Sequence, residues 1–216
     1  MDYNVKINVF GSSHCKYLSG VDLSGFNDTS GSAIADYHYH TISGIKCRLE
    51  FFHYSGKSYE FFLAPGGAEE VRKVVANCPD YIIVLFGGNS ISTTVSRAEV
   101  LKSCTEFYKM VYQEYMNVNP NGKIIASQLL MRYSRIPNDF NTPGPDEYKA
   151  FRNLINRKIY HLVKRDFKHF MLIVAGPKLD QRQYFNRLGV HLKPKYYRKL
   201  YDLMLSSIGH ALPERQ

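Results

Sequence analysis

The first apolar pattern in the chain is an alternation. Val5, Ile7 and Val9 alternate with polar residues, and this spacing predicts a β-strand over residues 5–10. Two later runs, residues 81–86 and 170–174, are apolar throughout and are typical of parallel strands covered on both faces. Residues 45–53 and 58–63 predict two strands joined by a turn at 55–57, and residues 123–130 predict another strand.

Helical periodicity fills most of the remaining chain. The spacing of apolar residues predicts helices over 68–75, 93–115, 147–165 and 194–208. From residue 57 onward these helices alternate with strands, and this order predicts an α/β fold with a mostly parallel sheet between two layers of helices. No repeat, low-complexity tract or linker divides the sequence, so we expect one domain over residues 1–216.

Composition excludes several classes of protein. The 216 residues are 44% hydrophobic, which is ample for a packed core and excludes a disordered chain. The apolar runs are too short to cross a bilayer, and residues 1–10 lack the apolar core of a secretion signal, so we expect a cytoplasmic or nuclear protein. The four cysteines form no CxxC pair, and we expect reduced, mostly buried thiols.

Charge is distributed unevenly. Residues 1–150 contain 14 Lys and Arg against 15 Asp and Glu, whereas residues 151–216 contain 14 against 4. A polyanion partner such as RNA would therefore bind the last third. The candidate contacts lie in and after the helix at 147–165 and in the final helix: Arg157, Lys164, Arg165, Lys168, Lys195, Arg198 and Lys199. A solvated helix surface is the alternative interpretation.

Candidate chemistry begins where the first strand ends, at Gly11-Ser12-Ser13-His14. A tight turn at the carboxyl edge of an α/β sheet presents a hydroxyl and bare N–H groups, as a serine nucleophile requires, although such a turn is also a common helix N-cap. A backbone N–H at Gly66-Gly67 is free of side-chain obstruction. His38 and His40 have the spacing of a metal pair but no third ligand, so we predict no metal site. Gly56-Lys57-Ser58 lacks the first glycine of a phosphate-binding loop, and no cofactor is predicted.

Four blocks, taken in order, resemble the SGNH (GDSL-type) hydrolases. The blocks are Gly11-Ser12-Ser13-His14, Pro65-Gly66-Gly67-Ala68, residues 79–89 ending in Gly87-Gly88-Asn89, and Leu188-Gly189-Val190-His191-Leu192 before the final helix. The resemblance implies a three-layer α/β/α sandwich with a flavodoxin-like sheet. It also implies a serine esterase in which Ser13 is the nucleophile, His191 is the base, and Ser13, Gly67 and Asn89 form the oxyanion hole.

The chain departs from the family pattern at three positions. Ser12 and Ser90 stand where the family has aspartates, and Leu188 stands where it has the acid that orients the histidine. His191 must therefore rely on a backbone carbonyl, on Asp180 or on no partner. Family members that work as Ser–His dyads imply that activity is possible without the acid.

Two functions of different class follow. The first is an esterase or acyl hydrolase that cleaves small esters through Ser13 and His191. The second is an inactive SGNH-like domain that binds RNA or another polyanion through the basic last third. Retention of Ser13, Gly67, Asn89 and His191 together favours catalysis.

Overall fold

Six strands form one sheet at the centre of the protein. The structure, a computed structural model, describes residues 4–21, 37–133, 141, 143–166, 168–173 and 179–212. The strands are β1 (Val5–Gly11), β2 (Tyr37–Ile42), β3 (Ile45–His53), β4 (Tyr81–Leu85), β5 (Lys123–Ser127) and β6 (Phe170–Ile173). Their order is β2-β3-β1-β4-β5-β6, and only the β2–β3 pair is antiparallel. The five parallel strands follow the flavodoxin-like order.

Helices cover both faces of this sheet. They are α1 (Ser13–Ser19), α2 (Tyr59–Leu63), α3 (Gly67–Val75), α4 (Arg97–Val118), α5 (Pro145–Arg165) and α6 (Pro194–Ala211). Helix α4 packs against α2, α3 and α5 on one face, while α6 packs against α1 on the other. The predicted α/β fold with a mostly parallel sheet is thereby confirmed. None of the described helices is long and apolar enough to cross a membrane.

The prediction of a strand over residues 58–63 is wrong. This segment is the short helix α2, which Ser58 precedes in an extended conformation. Tyr59 and Phe62, three residues apart, are both fully buried, so the aromatic run packs at helical spacing rather than alternating between two faces. Both edges of β3 are already paired, one with β2 and the other with β1, so residues 58–63 cannot add a strand beside β3. The chain instead returns over the sheet as a helix.

The start of the long helix α4 also differs from the prediction, which placed it at residue 93. The helix begins at Arg97 because Ser96 and Glu99 form a capping box. Ser96 Oγ accepts a hydrogen bond from the Glu99 N–H at 3.2 Å, and the Glu99 carboxylate accepts one from the Ser96 N–H at 2.8 Å. Two backbone donors are satisfied in this way, and that fixes the first turn.

Side chains alternate along strand β2, with His38 and His40 buried and Tyr37 and Tyr39 half-buried. The hydroxyl of Tyr201 in α6 lies 2.5 Å from His38 Nδ1 and 2.6 Å from His40 Nε2. Both rings therefore anchor the edge strand to the final helix. No group of three metal-ligating side chains occurs among the described residues.

Candidate active site

Ser13 lies at the carboxyl end of β1, where the strand gives way to α1. Gly11 permits this turn because it has no Cβ atom. A Cβ atom there would lie 2.7 Å from the Cβ of Cys15 and 2.8 Å from the Cβ of Leu85, which is too close. Ser12 is the N-cap, and its N–H donates to the Leu85 carbonyl at 3.3 Å. Ser13 is the first residue of the helix, so its N–H has no acceptor within the helix.

His191 lies in a compact turn before α6. The Asn186 N–H donates to the His191 carbonyl at 2.8 Å, and the Gly189 N–H donates to the Asn186 carbonyl at 2.9 Å. Gly189 has φ 68°, a left-handed conformation that favours glycine. The Tyr133 N–H donates to the Gly189 carbonyl at 2.8 Å, which ties the turn to the segment after β5. The turn therefore holds the imidazole at a fixed place on the sheet edge.

The structure brings the predicted nucleophile and base together. His191 Nε2 lies 2.9 Å from Ser13 Oγ, although 178 residues separate them in sequence. The imidazole packs between two aromatic rings of α1, with centroid distances of 5.7 Å to His14 and 5.2 Å to Tyr17. This geometry allows proton transfer from the hydroxyl to the imidazole.

No carboxylate orients the imidazole within the described part of the chain. His191 Nδ1 makes no hydrogen bond there, and Leu188 is 48% exposed. Asp180, one of the alternatives left open by the sequence, is engaged elsewhere. Its Oδ1 accepts a hydrogen bond from the Met131 N–H at 2.9 Å, and its Oδ2 forms an ion pair with Arg152. Over the described ranges, then, the site pairs Ser13 with His191 and places no carboxylate against the imidazole.

Both histidines at the site are held neutral. Burial, followed by the nearby charge of Arg132, lowers the pKa of His191 below its usual value of 6.5. Burial, then His191 and then Arg132, lower the pKa of His14 to about 3. His14 Nδ1 lies 2.9 Å from the Tyr197 hydroxyl, which fixes the ring. At neutral pH the imidazole of His191 is therefore an unprotonated base.

The other two predicted oxyanion donors are engaged elsewhere. The sequence suggested that the Gly67 N–H is free, but this group donates a hydrogen bond to the Ala64 carbonyl at 2.9 Å. Asn89 lies beside the site, but its Nδ2 donates to the Lys57 carbonyl at 3.1 Å and its Oδ1 accepts from Arg132 Nη2 at 2.5 Å. The oxyanion roles of Gly67 and Asn89 remain untested predictions.

A cleft opens at this edge of the sheet. It encloses about 560 Å³, part of it open to solvent, and Ser13, His191 and Arg132 all line it. Sequence reasoning missed Arg132. Its position in the sequence could have indicated it. Arg132 follows the apolar residues 129–131 just beyond β5, and ligands bind α/β sheets at the carboxyl ends of their strands.

Known proteins identify the fold. No protein-family model and no curated protein matches the chain. Solved structures do match, among them a lipase/acylhydrolase from Enterococcus faecalis, with a TM-score of 0.62, 14% identity and coverage of 99% of this chain and 100% of that one. The chain has the SGNH hydrolase fold.

Two further structures of the SGNH fold are equally similar. A GDSL-like lipase from Bacteroides thetaiotaomicron has a TM-score of 0.62 and 14% identity, with coverage of 98% of this chain and 93% of that one. A carbohydrate esterase family 3 protein from Talaromyces cellulolyticus has a TM-score of 0.61 and 15% identity, with coverage of 97% and 100%. At this level of identity the similarity establishes the fold, as the sequence blocks predicted.

The basic residues of this SGNH-fold chain lie on two faces. One exposed face of α5 carries Arg157, Tyr160, His161, Lys164 and Arg165, which recur at helical spacing, and the exposed Lys168 follows beyond the end of the helix. Lys195, Arg198 and Lys199 lie instead at the start of α6, on the opposite side of the sheet. The two groups therefore belong to different helices rather than to one helix face.

Proposed function

We propose that the protein is a serine esterase or acyl hydrolase that cleaves small esters through Ser13 and His191. The observation that carries the proposal is the 2.9 Å approach of Ser13 Oγ to His191 Nε2 in a cleft at the carboxyl edge of the sheet. The fold supports it, since proteins with similar structures are described as lipases, acylhydrolases and esterases.

The reaction follows from the geometry. Ser13 Oγ attacks the ester carbonyl carbon while His191 Nε2 takes the hydroxyl proton. The imidazolium then gives that proton to the departing alkoxide, and an acyl-serine remains. A water molecule, deprotonated by the same nitrogen, attacks the acyl-serine, and the carboxylic acid leaves as Ser13 regains its proton. The hydroxyl, imidazole and N–H groups of the chain accomplish every step.

The oxyanion of each tetrahedral intermediate needs donors that are already in place. The Ser13 N–H meets this need, because it is the first N–H of α1 and has no acceptor within the helix. One donor of this kind is worth about 10²–10³ in rate. The absence of a carboxylate at Leu188 leaves the imidazolium without a stabilising partner, so we expect slow turnover.

The experiment combines ester hydrolysis with covalent labelling by a fluorophosphonate. We expect the wild-type protein to hydrolyse a short-chain aryl ester and to be labelled at Ser13. Ser13→Ala and His191→Ala should abolish both activities. Ser19→Ala, at the other end of α1, and His210→Ala, on the exposed end of α6, are matched controls that should retain both. Hydrolysis and labelling by Ser13→Ala equal to wild type would refute the proposal.

A second candidate function, polyanion binding, is favoured by the exposed face of α5. Arg157, Lys164 and Lys168 are all exposed, and none of them pairs with an acidic side chain among the described residues. Tyr160, 48% exposed, lies between Arg157 and Lys164 on the same face of α5 and offers a ring on which a base can stack. RNA is the polyanion that uses both features, because its phosphates pair with the cationic side chains and its bases stack on the tyrosine ring.

Fluorescence anisotropy with a labelled single-stranded RNA tests this candidate. Affinity should fall with salt, with a log–log slope of about −0.7 for each phosphate neutralised. Arg157→Glu and Lys164→Glu should weaken binding, whereas Lys102→Glu on the exposed side of α4 makes the same charge change elsewhere and should not. No binding at low salt would eliminate this function and leave the esterase.

A further inference from the structure

Arg132 is the one cationic side chain among the described residues that line the cleft with Ser13 and His191. Its Nη2 donates to Asn89 Oδ1 at 2.5 Å, and its guanidinium lies 5.4 Å from the centroid of the Tyr148 ring. Both partners are uncharged at neutral pH. A Cβ atom on Gly88 would lie 3.3 Å from Nη2, so the guanidinium is held closely against the turn after β4.

Within the part of the chain that the structure describes, no carboxylate pairs with Arg132. The guanidinium forms no ion pair with any described residue, and no Asp or Glu is among the described residues that line the cleft. Arg132 is half-buried, so water screens its charge only in part. The effect of that charge reaches the base, since Arg132 contributes to the lowered pKa of His191. A charge held in this way is compensated when an anion enters the cleft.

The position of His191 indicates which part of an ester would meet Arg132. His191 borders the cleft on one side and a second groove on the other, and Tyr17, Lys195 and Tyr197 line that groove with it. The leaving alcohol takes its proton from His191, and the second groove beside that ring offers it a way out. The acyl part of the ester then remains in the cleft beside Arg132.

We propose that the substrate is a half-ester of a dicarboxylic acid, whose free carboxylate pairs with Arg132 while its ester carbonyl faces Ser13. This inference rests on the proposed esterase function. The planar guanidinium suits a carboxylate, because its N–H groups match the two oxygens. Hydrolysis adds water across the ester bond and yields a dicarboxylate, an alcohol and one proton.

The same pairing assists the chemistry. The positive charge of Arg132 opposes formation of the imidazolium at His191, because two like charges in a partly buried cleft repel each other. A bound carboxylate neutralises that charge and makes His191 a stronger base. The substrate therefore supplies part of the stabilisation that a triad acid at Leu188 would have given.

The kinetic test compares two esters with the same leaving group, monoethyl succinate and the uncharged ethyl valerate, in a pH-stat. We expect the wild-type kcat/KM to favour monoethyl succinate by about 10- to 100-fold, as for a hydrogen-bonded charge pair. Arg132→Gln should bring the ratio to about one, and Arg132→Lys should restore part of it. Lys102→Gln, which removes a surface charge from α4, should leave the ratio unchanged. A ratio unaffected by Arg132→Gln, or equal losses on both esters, would overturn the inference.

A binding measurement separates this inference from the esterase proposal. Calorimetric titration of Ser13→Ala, which cannot turn the ester over, should show binding of monoethyl succinate, and adding Arg132→Gln should abolish it. Binding lost with Arg132 in a protein that hydrolyses neither ester would refute the esterase and retain the anion site. Hydrolysis of both esters at equal rates, with no Arg132-dependent binding, would refute the anion site and retain the esterase.

Discussion

The buried His40 of the edge strand β2 makes the free energy of unfolding depend on pH. His40 is 1% exposed, and its Nε2 lies 2.6 Å from the Tyr201 hydroxyl. Burial, followed by the neighbouring His38, lowers the pKa of His40 from 6.5 to about 4. The unfolded chain, in which the ring is solvated, takes up a proton near pH 6.5, whereas the folded chain does so only near pH 4.

The sign and size of the effect follow from this difference. Below pH 6.5 the unfolded state binds more protons at His40 than the folded state, so stability falls as the pH is lowered. The contribution is fully present above pH 6.5, is lost between pH 6.5 and 4, and does not change below pH 4. Since one pKa unit corresponds to about 1.4 kcal/mol, His40 accounts for a loss of about 3 kcal/mol over this range.

Urea denaturation followed by far-ultraviolet circular dichroism measures the effect at pH 7, 6, 5 and 4. His40→Gln removes the titrating group and keeps a side-chain N–H for the Tyr201 hydroxyl. We expect the wild-type free energy of unfolding to fall by about 3 kcal/mol more than that of His40→Gln between pH 7 and 4. His210→Gln, at an exposed position, should behave as wild type. Parallel pH dependences for wild type and His40→Gln would refute the reasoning.

Three further predictions concern the site and its support. Because the pKa of His191 is lowered, the acid limb of kcat/KM should lie below pH 6.5, and Arg132→Gln should move it upward; a limb that stays in place in pH–rate profiles would contradict this. Leu188→Asp should raise kcat by about tenfold or more by supplying an orienting carboxylate, and an unchanged kcat would show that the new carboxylate does not reach the imidazole. Gly11→Ala should lower the free energy of unfolding by about 1–3 kcal/mol through overpacking, whereas Gly20→Ala should not, because a Cβ atom there would lie 3.9 Å from the Tyr17 carbonyl oxygen, an ordinary contact. Equal melting temperatures for the two variants in thermal unfolding would count against the close packing at Gly11.

The fold was largely readable from the sequence. Periodicity of two or of 3.6 residues, and unbroken apolar runs such as residues 81–86, mark strands and helices because each element must bury one or both faces. The segment 58–63 was misread, since a short apolar run fits either a strand or a buried helix turn. Its neighbours in space, rather than its own residues, decided between them.

The candidate site was readable in part. Ser13 could be proposed from the turn that follows the first strand, whereas His191 was implied only by the resemblance of residues 188–192 to the last SGNH block. The sequence could not show the hydrogen-bond partners of the Gly67 N–H or of the Asn89 amide. These partners depend on which carbonyl or guanidinium lies about 3 Å away in the fold. Arg132 was missed because no short motif contains it.

Apart from residues 58–63, the sequence by itself determined the order of strands and helices, and with it the edge of the sheet at which Ser13 and His191 meet. These properties depend on local spacing, and apolar residues must be buried wherever they fall. Only the tertiary structure decided that Asp180 pairs with Arg152 and that the guanidinium of Arg132 lies in the cleft. It also decided that no carboxylate of the described residues contacts either the imidazole of His191 or that guanidinium. Hydrogen bonds and charge pairs act over a few ångströms between residues far apart in the chain, and their partners exist only once the chain has folded.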